Sequence, residues 1–257
     1  METVYNGANE WTLDTYTRAG RALGLFNGTH LDSRLVVNHS WMVPSRAICW
    51  VDESRPILDS LGDLRDDPVL ARWLRGSNLE RTRALWSDAD RLLDVMQELP
   101  SCLCHHDAFR RNLMMPPDDD SGSDVVAIDW AFTGPGVLGE ELAATIGVSL
   151  QFMEVELEDA RHLEQSVFDG YVTGLREAGW QGPRSDARLG FTASTSLMLG
   201  LGAFGPWLPL LRDPGFEPIV EKIVGVSKDR FIDRLADLHG YFLDLGEEAV
   251  SQVRSFP

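Results

Sequence analysis

Lysine is almost missing from this chain: Lys222 and Lys228 are the only two in 257 residues. Basic charge as a whole is short, with 23 Lys and Arg against 40 Asp and Glu, a formal net charge of −17. That excludes the electrostatic footing of a nucleic-acid binder, which holds phosphates through basic surface. Such a field favours a cationic small substrate, although excess acid also serves solubility alone. Cysteine is scarce and odd in number (Cys49, Cys102, Cys104), which argues against a disulfide framework and for a reducing, cytoplasmic setting. No apolar run is expected to reach the roughly 18 residues that span a bilayer, so no membrane partner is expected. The opening METVYNGANEW has neither a basic start nor an apolar core, and no internal repeat is present. What remains, 44% hydrophobic and 25% charged, has the composition of an ordinary globular chain with length for a substantial core.

Apolar periodicity organises most of that length. In WTLDTYTRAGRALGLF, Leu13, Tyr16, Ala19 or Gly20, and Leu23 share one helical face. From Trp41 to Trp50 the pattern is mixed and assigns no element. Asp67 before Pro68 reads as an N-cap and first-turn proline, opening a short helix through Trp73 and Leu74. A longer helix carries Leu85, Ala89, Leu92, Met96 and Leu99, and Pro100 ends it. The character then changes. SCLCHHDAFRRNLMM alternates and then loops, PPDDDSGSD is turn chemistry, and DVVAIDW is β-rich. Leu113–Met115 and Asp124–Asp129 are expected to be the arms of one hairpin. Helical patterns return after Gly139 and continue to the end. The expected class is mostly α with a small β-hairpin (α+β).

The polar residues concentrate between Cys102 and Leu142. His105-His106-Asp107 is followed by Asn112, five residues after the aspartate, and by Ile128-Asp129-Trp130 across the expected hairpin. Phosphoryl transfer needs little covalent chemistry from a protein: an in-line acceptor hydroxyl and Mg²⁺ to neutralise phosphate oxygens. One carboxylate at the acceptor, with one amide oxygen and one carboxylate on the metal, meets that need, and Asp107, Asn112 and Asp129 are such groups. Magnesium takes hard oxygens, one or two from protein carboxylates and the rest from water and phosphate. Three weaker readings compete. These acids could be solvated loop residues. Cys102, Cys104, His105 and His106 could hold zinc, but strand alternation separates them and a second spaced ligand pair is missing. Arg110 and Arg111 could touch phosphate or merely brace the loop. Trp130 and Phe132 read as core or as acceptor-pocket walls, and the cysteines as small core residues.

H-x-D-x-x-x-x-N, then a hydrophobic-hydrophobic-D-W strand, then GEELA at Gly139–Ala143, resembles the aminoglycoside phosphotransferase/choline kinase family of the protein-kinase-like fold. The resemblance implies an ATP- and Mg²⁺-dependent small-molecule O-phosphotransferase. It implies Asp107 as the catalytic aspartate that accepts or orients the substrate hydroxyl, Asn112 and Asp129 as the Mg²⁺ ligands, and His105 as the histidine bracing the loop. Arg111 becomes a candidate contact to the cofactor. Glu141 stands where the family more often has aspartate, and Trp11–Gly28 is similar to the family's first C-lobe helix. The substrate implied is a small hydroxyl-bearing molecule, cationic ones included.

Kinases of this fold place a Gly-rich loop and a strand lysine ahead of the catalytic loop. Here the glycines before residue 100 are isolated and no lysine precedes Lys222. The chain is therefore expected to be a C-terminal lobe only, without the ATP-clamping lobe. It is expected to form a single lobe over 1–257: helices at 10–100, catalytic loop and metal hairpin at 101–135, and a helical substrate subdomain at 136–257. ATP binding is expected to be impaired and turnover weak or absent, with an apolar interface where the other lobe would pack. The alternative is a non-catalytic remnant of the fold that binds a ligand or partner.

Overall fold

Thr12 caps the first helix, its Oγ1 accepting from Thr15 N–H at 3.2 Å, in a computed structural model that describes residues 11–31, 39–62, 66–115 and 125–254. This helix, α1 (Leu13–Thr29), buries Tyr16, Ala19, Gly20 and Leu23, the face its periodicity implies. It lies against α6 (Ala160–Glu177) at very short range. A Cβ at Gly20 would fall 2.4 Å from Val167 O, and one at Gly24 2.0 Å from Tyr171 O. Reciprocally, a Cβ at Gly174 would fall 1.9 Å from Arg21 O. Residue numbers rise together along both helices at these contacts, so the pair runs parallel.

The stretch from Trp41 to Trp50 that carried no clear pattern turns into α2 (Arg46–Asp59), whose buried face is Ala47, Val51, Ser54 and Leu58. Those four are a helical period; the tryptophans and Cys49 around Arg46 obscure it. Asp67 does cap α3 (Pro68–Trp73), its Oδ1 accepting from Leu70 N–H at 2.7 Å. Next comes α4 (Asn78–Gln97), which stops just short of Pro100.

Four short strands follow. β1 (Ser101–Cys104) pairs antiparallel with β4 (Gly134–Val137), Cys104 opposite Gly134; β2 (Leu113–Met114) pairs antiparallel with β3 (Val126–Ala127). Besides a second two-stranded sheet, β1–β4, this gives the expected hairpin as β2–β3. Its arms are shorter than Leu113–Met115 and Asp124–Asp129, and the acidic connection, Asp124 included, lies outside the described residues. β4 was hidden because Gly-Pro-Gly reads as a turn; only its partner β1 makes it a strand.

GEELA does not open an ordinary α-helix. Gly139 takes φ 91°, and Ala143–Val148 is π-helical before α5 (Ser149–Gln151). Beyond α6, Arg184–Arg212 is nearly continuous: α7 (Arg184–Thr195), a second π-helical segment Ser196–Leu201, and α8 (Phe204–Arg212). This stretch corrects the expectation about apolar runs. It is long and apolar enough by composition to cross a bilayer, at mean hydropathy 1.2, yet 78% of that window is buried inside the molecule. Its apolarity supplies core: α10 (Lys228–Arg254) packs on it and on α3 and α4, with α9 (Glu217–Val224) at the edge.

Candidate active site

The loop after β1 is held from four directions. Glu141, fully buried, accepts from the backbone N–H of His105 at 2.7 Å and of His106 at 2.9 Å. Buried Glu140 accepts from Ser45 Oγ at 2.5 Å and lies 3.6 Å from His106 Nδ1. Asn27 Nδ2 of α1 donates to Leu103 O at 2.8 Å, while its Oδ1 accepts from Tyr171 O–H of α6 at 2.7 Å. Thr145 Oγ1 donates to Ala108 O at 2.6 Å. Glu141 therefore occupies the loop-clamping position with its longer side chain. His106 takes φ 64° and turns the chain into the loop.

His105 links the loop to the second hairpin. Its Nδ1 accepts from Asp107 N–H at 3.2 Å, which leaves Nε2–H to donate to Ile128 O at 2.9 Å. The ring packs on Trp130 with centroids 4.5 Å apart. His105 thus contacts the loop on one side and the hairpin residues Ile128 and Trp130 on the other. The chain then closes on itself: Asn112 Nδ2 donates to Asp107 O at 2.9 Å and to Asp107 Oδ2 at 2.7 Å.

Register brings the two expected metal ligands to one edge. Leu113 stands opposite Ala127, and Ile128 N–H donates to Asn112 O at 2.9 Å, so Asn112 faces the residue just before Asp129. Asp129 itself adopts φ 60°, ψ 65° and redirects the chain from β3 into a 3-10 turn at Trp130–Phe132. A non-glycine residue in that conformation carries local strain that the surroundings must hold, and such residues gather at functional sites. The donor set suits magnesium. Asn112 turns its N–H toward Asp107, which leaves its amide oxygen as the hard ligand, and the Asp129 carboxylate is exposed. Among the described residues no group of three His, Cys, Asp or Glu side chains could hold a metal alone. Bound phosphate and water would supply the remaining ligands.

Arg46 is the site residue that sequence reasoning missed. Its Nη1 donates to His106 O at 2.8 Å and pairs with Asp107 Oδ1, both side chains being largely buried. The guanidinium is sandwiched by the rings of Trp50 and Phe132, 5.0 and 4.5 Å from their centroids. Nothing in sequence links a residue sixty positions upstream to the loop; α2 does so in space. Each Asp107 oxygen thus receives one donor, Arg46 or Asn112.

Arg111 takes the bracing arrangement. Its Nε donates to Glu154 at 2.9 Å and its Nη1 to Ile223 O at 2.8 Å, with the guanidinium over Phe152. Cys102 and Cys104 are buried with sulfurs 3.6 Å apart, as core residues. Trp130 and Phe132 are not core: they are 42% and 39% exposed, Trp130 packing on His105 and Phe132 on the Arg46 guanidinium. A cavity of about 280 Å³ has Asp107 in its wall, with Trp50, Phe109, Phe152 and Trp207 among others.

A family model described as a phosphotransferase enzyme family matches residues 16–180, from α1 through α6. No curated protein matches the chain.

Proposed function

The chain belongs to the phosphotransferase enzyme family, and on that premise we propose that it moves a phosphoryl group from Mg²⁺–ATP to the hydroxyl of a small molecule. One observation carries this reading. The β2–β3 register sets Asn112 beside Asp129 while the Asn112 amide holds Asp107 at 2.7 Å, so a metal edge and an acceptor carboxylate share one hinge residue. Bound Mg²⁺–ATP supplies the electrophilic phosphorus and the charge neutralisation. Asn112 Oδ1 and Asp129 would hold the metal. Asp107, steadied by Arg46 and Asn112, orients the acceptor hydroxyl and receives its proton as the new O–P bond forms and the bond from that phosphorus to the ADP oxygen breaks, releasing ADP. His105 keeps loop and hairpin in step.

Support for the acceptor side comes from the cavity whose wall includes Asp107. The exposed apolar residues Met114, Val126, Ile128 and Trp130 support a packing face for the segment that covers the nucleotide. The catalytic loop, its hairpin and the surrounding helices then act as one kinase-like lobe. Mg²⁺-dependent ADP release, with water as acceptor when no alcohol is added, tests the chemistry. Asp107→Ala should lower it by roughly 10²–10⁴-fold, the range of a lost general base. Undiminished release in a folded variant would remove Asp107 from the reaction.

A further inference from the structure

We infer that the acceptor pocket takes a compact, uncharged alcohol, built on an apolar or aromatic skeleton and carrying a hydrogen-bond acceptor oxygen besides the reacting hydroxyl. The inference rests on the phosphotransferase reading and goes beyond it, to the acceptor's chemistry.

The cavity of about 280 Å³ falls at the small end of ligand sites, which run to roughly 1,000 Å³, and so suits a one- or two-ring molecule. Its walls are mainly apolar. Trp50 comes from α2, Phe109 from the catalytic loop, Phe152 from the end of α5, and Trp207 and Leu210 from α8. The α8 wall lies beyond the span that the family model matches, so the family alone does not determine it.

Charge decides between an amine and a neutral molecule. Among the described residues lining the cavity, Asp107 is the one carboxylate, and Arg46 and Asn112 already engage its two oxygens. An ammonium group entering here would leave water without gaining a free counter-charge. The net charge of −17 acts from the outer surface, where salt screens it within about 8 Å; the desolvation inside the cavity is not screened, and it prevails.

The unsatisfied groups point the same way. Gln151 Nε2, Trp207 Nε1 and Arg46 Nε all belong to lining residues, are buried and have no hydrogen-bond partner. Gln151 is only 2% exposed, so leaving that amide unpaired is costly. All three are N–H donors. Their complement is an oxygen acceptor such as an ester or ketone carbonyl, not another donor.

Calorimetry without nucleotide, using three probes, tests this. Methyl 3-phenyllactate is an uncharged alcohol with a carbonyl, phenylalaninol keeps the phenylpropane skeleton and a hydroxyl but carries an ammonium and no carbonyl, and kanamycin is a polycation. The ester should bind at least about tenfold more tightly than phenylalaninol, and kanamycin should not compete. Trp207→Phe, which keeps the ring and removes the N–H, should weaken the ester by up to about tenfold. Gln151→Glu should shift preference toward phenylalaninol, a gain that mere misfolding cannot produce. Equal or tighter binding of either cationic probe, or no binding of the ester, overturns the inference. Adding Mg²⁺ and ATP separates the two readings. An ester that binds but is never phosphorylated leaves the acceptor class standing and sinks the phosphotransferase; phosphorylated kanamycin does the reverse.

Discussion

His239 of α10 lies 2.8 Å from Thr82 Oγ1, whose hydroxyl donates to Asn78 O, so the imidazole Nε2 carries the proton in that contact. Its Nδ1 is buried with no partner, and a second proton there would be a charge without compensation. Burial, reinforced by the positive charge of Arg81, pushes its pKa down to about 3 from the ordinary 6.5. The sign follows directly: between those values the unfolded chain takes the proton and the folded one refuses it. Stability is therefore complete above about pH 6.5 and falls as pH drops toward 3, at up to about 1.4 kcal/mol per pH unit from this group. Urea midpoints measured from pH 7 to 5 should show that slope, and His239→Gln should flatten it; an unchanged slope would mean that other groups produce it. At the catalytic loop the same scale of reasoning separates two histidines. His105 has both ring nitrogens paired and acts as a brace, whereas His106 contributes chiefly its backbone: its amide to Glu141, its carbonyl to Arg46 and its turn.

Elements meet here through missing side chains. The α1–α6 contact depends on glycines at helical spacing, Gly20 and Gly24 on one helix and Gly170 and Gly174 on the other. Alanine at position 24 would gain about 1 kcal/mol of helix propensity but place its Cβ 2.0 Å from Tyr171 O, a backbone atom that cannot swing aside. The clash prevails, and Gly24→Ala should destabilise the fold by about 2–3 kcal/mol net in chemical denaturation. A neutral or stabilised variant would show that the two helices separate freely. Activity should suffer with stability. The contact positions Asn27, which donates to Leu103 O at the root of the loop, and Tyr171, which donates to Asn27 Oδ1. The β1–β4 pairing plays the complementary part, drawing Thr133 to within 2.9 Å of Cys104 O and closing the strand that carries the loop.

For the molecule as a whole, Asp107 belongs both to the loop that Asn112 closes and to the wall of an aromatic cavity reaching α8. On the proposed reading the described residues reach the nucleotide through the metal held by Asn112 and Asp129, and ATP turnover with nothing added should stay below about 1 s⁻¹, the low edge for kinases. Steady ADP release near 10 s⁻¹ would show that residues of this chain hold the phosphates well. Much of this was legible in the sequence. The spacing of His105, Asp107, Asn112 and Asp129, the cap at Asp67 and the buried face of α1 all follow from local chemistry, because loops, caps and helical periods are set by neighbours in the chain. Arg46 against Asp107, Glu141 across two backbone amides, the glycine seam and the cavity wall from Trp207 were not legible, because each joins residues far apart in sequence. What the sequence determined alone is the chemical vocabulary of the loop and its hairpin. Only the tertiary structure decided what Asp107 faces, since pairing and desolvation depend on which distant side chains packing brings within hydrogen-bond range.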